Sequence, residues 1–171
     1  MLRSHLPTVL IAALSLSSCV IVSDHGSSDW DDDGHHEDGR CCETASPARR
    51  TLNLDGRDDE RPFSHAVLAG DTLYVAGSLG LDAETGLPPE DVEQEVRLML
   101  DSFAAKLALA DMEMEDLVSV QVFCSDTSLY GAFNDVYRTY FDGSFPARAF
   151  IGSGPLLFGA RFEINGIAVR R

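Results

Sequence analysis

Lysine is almost missing from this chain: Lys106 is the only one in 171 residues, and 13 basic residues in all stand against 28 Asp and Glu. The formal net charge is −15, and both the N-terminal and the C-terminal parts are acidic. Such a surface repels phosphate backbones, and no stretch forms a basic patch, so the composition argues against nucleic acid as a partner. Also absent is an apolar run of the about 20 residues that a permanent membrane-spanning helix needs. The four cysteines include no C-x-x-C pair, so the spacing of a defined structural metal site is lacking.

What is present changes along the chain. Arg3 precedes an apolar run from Leu6 to Leu16, which ends in small residues before Cys19. This order reads as a secretory signal. Leu16 to Cys19, "LSSC", resembles the lipobox of bacterial lipoproteins, in which the cysteine is acylated and becomes the new N-terminus. An ordinary signal peptide with an incidental Cys19 is the alternative. The expectation is a signal peptide with lipobox over 1–18 and lipidation at Cys19, with two or more acyl chains giving stable attachment to a lipid bilayer. The chain is then exported and lipid-anchored at the periplasmic face of the cell envelope. Val20, where an Asp would retain a lipoprotein at the inner membrane, favours the outer membrane.

Residues 19–61 are charged and rich in Gly and Ser with almost no periodic apolar pattern, which predicts an acidic disordered tether. Asp31, Asp32, Asp33, His35, His36, Glu37, Cys41 and Cys42 are able to ligate a transition metal, but their spacing matches no defined site. A solvated spacer is the reading adopted, with no metal and no cofactor expected. Cys124 falls in an apolar strand pattern and reads as a buried, inert thiol.

From residue 62 to 171 apolar runs alternate with turn signals. Ala66 to Leu68 and Thr72 to Ala76 flank Ala69, Gly70 and Asp71 as a hairpin. Val92, Val96, Met99, Leu100, Phe103, Leu107 and Ala110 recur at three- and four-residue steps, which predicts a helix over 91–110. A strand with Val118, Val120, Val122 and Cys124 on one side follows. A second helix carries Leu129, Phe133, Val136, Tyr137 and Tyr140 on one stripe, with Thr127 or Ser128 as N-cap. "ARAFIG" and "ARFEINGIAVR" supply two closing strands. Strand, strand, helix, strand, helix, strand, strand fits an α+β architecture: one mixed sheet with two helices packed on one face.

Strand alternation sets Phe162, Ile164, Gly166 and Ala168 toward the helices and Arg161, Glu163, Asn165 and Ile167 away from them. The same rule separates Arg148 and Phe150 from Ala147 and Ala149. Arg148 and Glu163 are therefore expected to share the face away from the helices, as a salt bridge or as a site at an oligomer interface.

The segments "RPFSHAV", "LYVAGSLGLDAETG", "VSVQVFCSD", "FNDVYRTYF", "FPARAF" and "FEINGIAVRR", in this order and spacing, resemble the RidA/YjgF family. The resemblance covers about two thirds of the chain and implies the chorismate-mutase-like fold, assembled as a barrel-like homotrimer. It implies hydrolytic deamination of small 2-imino or enamine acids to 2-oxo acids and ammonia, by a 2-iminobutanoate/2-iminopropanoate deaminase-like hydrolase. Arg148 would grip the substrate carboxylate and Glu163 would position the hydrolytic water. Gly77 and Asn134 match pocket positions, and Phe63 and Phe150 stand where the family commonly has a tyrosine and a cysteine. Ser78 replaces a usual glutamine, Asn165 replaces an acidic residue, and His65 sits at a variable position. A non-catalytic trimer binding small carboxylates, or a scaffold presenting metal-binding acidic and His-rich tethers, are the alternatives.

Overall fold

The computed structural model describes residues 48–56 and 60–171. The segment 1–18, Cys19 and the acidic cluster from Asp31 to Cys42 lie outside the described residues. Six strands and two helices follow one another: β1 (Arg49–Leu52), β2 (Ala66–Ala69), β3 (Thr72–Leu79), α1 (Val92–Ala108), β4 (Leu117–Cys124), α2 (Tyr130–Tyr137), β5 (Ala147–Gly152) and β6 (Phe162–Val169). The strands form one mixed sheet in the order β1-β2-β3-β6-β4-β5, in which only β4 and β5 run parallel.

The hairpin between β2 and β3 turns on Gly70, whose φ of 59° lies in the left-handed region that glycine enters without steric cost. Ahead of it, β1 pairs antiparallel with β2, from Arg49 opposite Ala69 to Leu52 opposite Ala66. This corrects the expected extent of the tether, since residues 49–52 belong to the folded sheet. Arg49, Arg50 and Thr51 are exposed and show no apolar alternation. Ladder hydrogen bonds along an open edge, rather than burial, give this strand its place.

Asp91 caps α1, its carboxylate accepting from the Glu93 amide at 2.8 Å and the Gln94 amide at 3.4 Å. The expected stripe from Val96 to Leu107 is fully buried against the sheet, but Glu95 and Lys106 are buried with it. Glu95 accepts from the backbone amides of Arg161, at 2.6 Å, and Phe162, at 3.2 Å, and pairs with the Arg161 guanidinium. The start of β6 is thereby tied to the first turn of α1. The cap ahead of α2 is Asp126, whose carboxylate accepts from the Ser128 amide at 3.0 Å, in place of the expected Thr127 or Ser128. A carboxylate is the stronger acceptor there, and the chain makes one tighter turn before α2 begins.

In β4 the register against β6 shifts between Leu117 and Ser119. Leu117 turns inward and Val118 is left 48% exposed, a correction to the uniform alternation predicted for this strand. Val120, Val122 and Cys124 face the core as expected. Both helices pack over one face, with Phe133 of α2 tilted against Phe162 at 5.2 Å between ring centroids. The opposite face carries Tyr74 and Ile167, paired across β3 and β6.

Candidate functional site

Arg148 lies on β5 opposite Val120 of β4, and Phe150 lies opposite Val122. Paired residues on neighbouring strands project to the same face, so Arg148 and Phe150 point with the two valines toward the helices. The guanidinium carbon sits 4.6 Å from the Tyr137 ring centroid and 5.6 Å from that of Phe133, with Tyr130 and Phe150 both at 5.9 Å. Its Nη2 donates to Asn134 Oδ1 at 2.7 Å. Among the described residues no carboxylate comes within ion-pair distance of Arg148. Aromatic faces and one amide hold the cation in a fixed orientation while leaving its charge uncompensated. Tyr130, Asn134, Tyr137, Arg138, Phe145, Pro146 and Arg148 line a cavity of about 400 Å³ at this point.

Glu163 occupies the other face of β6, between the buried Phe162 and Ile164 and opposite Leu79 and Phe123. It does not share a face with Arg148, and the salt bridge weighed for that pair is not formed. Alternation gives the phase of side chains within one strand, whereas the phase between strands depends on register. Glu163 lines a second cavity of about 780 Å³, together with Phe63, His65, Gly77, Leu98, Leu157 and others. The cavity opens where β2 has ended and β3 continues unpaired on that side.

Gly77 shapes this second cavity by having no side chain. A β-carbon there would lie 2.0 Å from Glu163 Oε1, so the carboxylate rests on the glycine. Phe63 is 48% exposed at the rim, its ring 6.3 Å from that of His65. His65 itself is engaged structurally: Nδ1 accepts from the Leu54 amide, and its own amide donates to Asn53 Oδ1, both at 3.0 Å. The candidate residues thus separate into two half-sites, Arg148 with Asn134 and Phe150, and Glu163 with Gly77 and Phe63.

Two residues emerge that the sequence reading left out of the site. Tyr137, assigned to helix packing, stacks on Phe133 and also lines the Arg148 cavity. Its buried hydroxyl has no hydrogen-bond partner among the described residues, and burial pushes it up to about 12. Asn134 and Tyr137 are three apart on α2, a spacing that puts them on one helix face and was available as a signal. The other is Lys106, whose ammonium donates to the Gly77 carbonyl and Ser78 Oγ, each at 2.7 Å, and to the Ala76 carbonyl at 3.3 Å. No cluster of His, Cys, Asp and Glu able to hold a metal occurs among the described residues.

A mixed sheet with two helices on one face, carrying an oriented guanidinium in one cavity and a carboxylate in another, defines a small α+β protein with two polar-lined cavities. The chain belongs to the Endoribonuclease L-PSP family, the RidA/YjgF proteins, whose model matches residues 57–170. It is 39% identical over 110 residues to the 2-iminobutanoate/2-iminopropanoate deaminase of Capra hircus, a match spanning 64% of this chain and 80% of the relative. The Homo sapiens protein of the same name is 32% identical over 110 residues, spanning 64% and 80%. Among solved structures, the YjgF gene product of E. coli is similar at a TM-score of 0.66 and 28% identity, covering 71% of this chain and 99% of its own. RidA from an Antarctic Psychrobacter species is similar at 0.65 and 27%, with coverage of 71% and 99%.

Proposed function

We propose that this protein hydrolyses small 2-imino or enamine acids to 2-oxo acids and ammonia. The observation that carries the reading is Arg148, a partly buried guanidinium oriented by Asn134 and four aromatic rings, with no carboxylate among the described residues paired to it. A planar carboxylate is the complementary partner for such a fork. Glu163 supplies the second function. A carboxylate beside the electrophilic carbon of a C=N bond orients a water and relays one of its protons to the imine nitrogen as the C–O bond forms; transfer of the remaining hydroxyl proton to that nitrogen lets the carbinolamine collapse, expelling ammonia and leaving the 2-oxo acid.

Both groups serve one substrate only if the Arg148 half-site of one protomer faces the Glu163 half-site of another, so the reading includes a homotrimer. Exposed apolar side chains support it: Tyr130 and Phe145 rim the first cavity, and Phe63, Leu157 and Phe158 rim the second. Phe63 lacks the hydroxyl of a tyrosine, and Phe150 packs edge-on against Tyr130 and Phe133 beside the Arg148 guanidinium, without lining the cavity itself. The net charge of −15 disfavours an RNA substrate, despite the family's descriptive name.

The test generates 2-iminopropanoate in situ and follows its loss. Acceleration by the parent, with kcat/KM lower by about 10²-fold in Arg148→Ala, is expected for loss of a charge-assisted carboxylate grip. No acceleration over buffer by the parent would sink the deaminase reading and favour a carboxylate-binding trimer. Export and acylation at Cys19 complete the proposal, resting on the Leu6–Leu16 run and "LSSC". Fractionation of cells making Cys19→Ser checks it: the variant is expected to leave the membrane fraction.

A further inference from the structure

We propose that Lys106 is a positioning residue of the Glu163 half-site: its buried ammonium fixes the Gly77 peptide on which the Glu163 carboxylate rests. The inference uses the deaminase reading for its kinetic readout only. Lys106 sits on the inward face of α1 between Phe103 and Leu107, where packing asks for an apolar side chain, and it is 4% exposed. A lysine is costly in such a place unless its donors are all used. They are used here: the three N–H groups go to the Ala76 carbonyl, the Gly77 carbonyl and Ser78 Oγ.

The reason for three acceptors at this point lies in β3. Its pairing with β6 shifts between Val75 and Ser78, so Ala76 and Gly77 fall out of the regular ladder. A bulge of this kind leaves peptide groups that need partners from elsewhere. Lys106 provides them from α1. Gly77 therefore takes the ammonium on its carbonyl and the Glu163 carboxylate against its α-carbon, and both Ala76 and Gly77 line the cavity that Glu163 lines. A shift of the Gly77 peptide moves the surface against which Glu163 is set. Lys106 itself does not line the cavity, so it acts through Gly77 and does not touch substrate.

Electrostatics reinforce the geometry. Burial pushes Lys106 down to about 8, and the Glu163 carboxylate, from β6, works against that fall. β3 presents neutral acceptors only, and the residues one turn away along the chain, Ser102 and Phe103 on α1 and Leu109 and Ala110 just past its end, are uncharged. A neutral amine has two N–H groups in place of three, so deprotonation releases one bulge acceptor. Imine hydrolysis should accordingly fall on the alkaline side with an apparent pKa set by Lys106.

Because the chain has a single lysine, full-length protein grown with [ε-¹³C]lysine gives one resonance to titrate. The expected midpoint is about 8 and moves lower in Glu163→Gln, which removes the charge that holds it up. A midpoint at the ordinary value of about 10.4, or one indifferent to Glu163→Gln, overturns the proposal. In the kinetic arm, Ser78→Ala keeps the helix and the lysine but removes one acceptor of the ammonium. Its alkaline limb is expected at lower pH, and Lys106→Met is expected to lose roughly tenfold to a hundredfold in kcat with little change in KM, the scale of a misplaced catalytic group. An alkaline limb unmoved in Ser78→Ala, or parent kcat in a folded Lys106→Met, refutes positioning. If the parent hydrolyses no imine, the deaminase reading fails while the titration still decides the link between Lys106 and Glu163.

Discussion

Two cations that bear on the candidate site, Arg148 and Lys106, face burial in different ways. A guanidinium is a permanent charge, and the Tyr137 and Phe133 faces and the Asn134 amide oxygen accept that of Arg148. Lys106 can shed its proton, and its stability contribution therefore depends on pH. Its pKa falls from 10.5 to about 8 on folding, chiefly through burial. Between those values the unfolded chain binds the proton that the folded chain has released, so stability rises with pH across this window. Below about 8 both states are protonated and the full cost of a buried ammonium is felt. Lys106→Met has no such group, so the parent is expected to gain up to about 3 kcal/mol relative to the variant between pH 8 and 10.5. Urea unfolding of both proteins at the two ends of the window checks this, and a difference independent of pH would mean that the amine does not change its pKa on folding.

At the scale of elements, sequence pattern carried furthest where a side chain's role depends on its own neighbours in the chain. The stripe from Val96 to Leu107 located α1, and the alternation of Phe162, Ile164 and Ala168 located the inner face of β6, because helix and strand periods are local properties. Register is not local. Arg148 alternates with Ala147 and Ala149 as expected, yet its pairing with Val120 turns it to the helix side, while Glu163, opposite Phe123, faces the other way. A slip of one residue in the β4–β5 pairing would have reversed the outcome, and nothing in "FPARAF" specifies it. The same limit hid the bulges: the shift beyond Leu117 exposed Val118, and the shift after Val75 created the acceptors that Lys106 fills. β1 was missed for another reason, since an edge strand held by ladder hydrogen bonds needs no apolar period. Nothing in the local sequence singles out Glu95, although the amides of Arg161 and Phe162, distant in sequence, give it a buried structural role. Of the candidate site, the residue types and their strands were legible through family resemblance, and their division into two half-sites was not.

That division governs the whole molecule. Reacting groups must come within about 3–3.5 Å of the substrate atoms they act on, which an arginine turned toward the helices and a glutamate on the opposite side of β6 do not achieve for one small imino acid inside one chain. A cyclic assembly resolves this. In the proposed homotrimer each protomer would offer its Arg148 face to one neighbour and its Glu163 face to the other, and a heterologous contact of this kind closes into a ring when its rotation is one third of a turn. The rims of exposed Tyr130 and Phe145 on one half-site, and of Phe63, Leu157 and Phe158 on the other, would then be the surfaces buried between subunits. Complementation decides the matter. Arg148→Ala and Glu163→Gln chains, each inactive as a pure trimer, are unfolded, mixed in equal amounts and refolded together. A shared site is intact wherever a Glu163→Gln chain supplies the arginine and an Arg148→Ala chain supplies the glutamate, which random assembly produces at about one interface in four. Recovery of about a quarter of the parent rate is expected, whereas a mixture as inactive as its components would show that the half-sites do not meet across subunits. The same measurement separates two meanings of Phe63 and Phe150. If the mixed trimers recover their share of the parent rate, Phe63 lines a working pocket, and neither phenylalanine marks a lost activity.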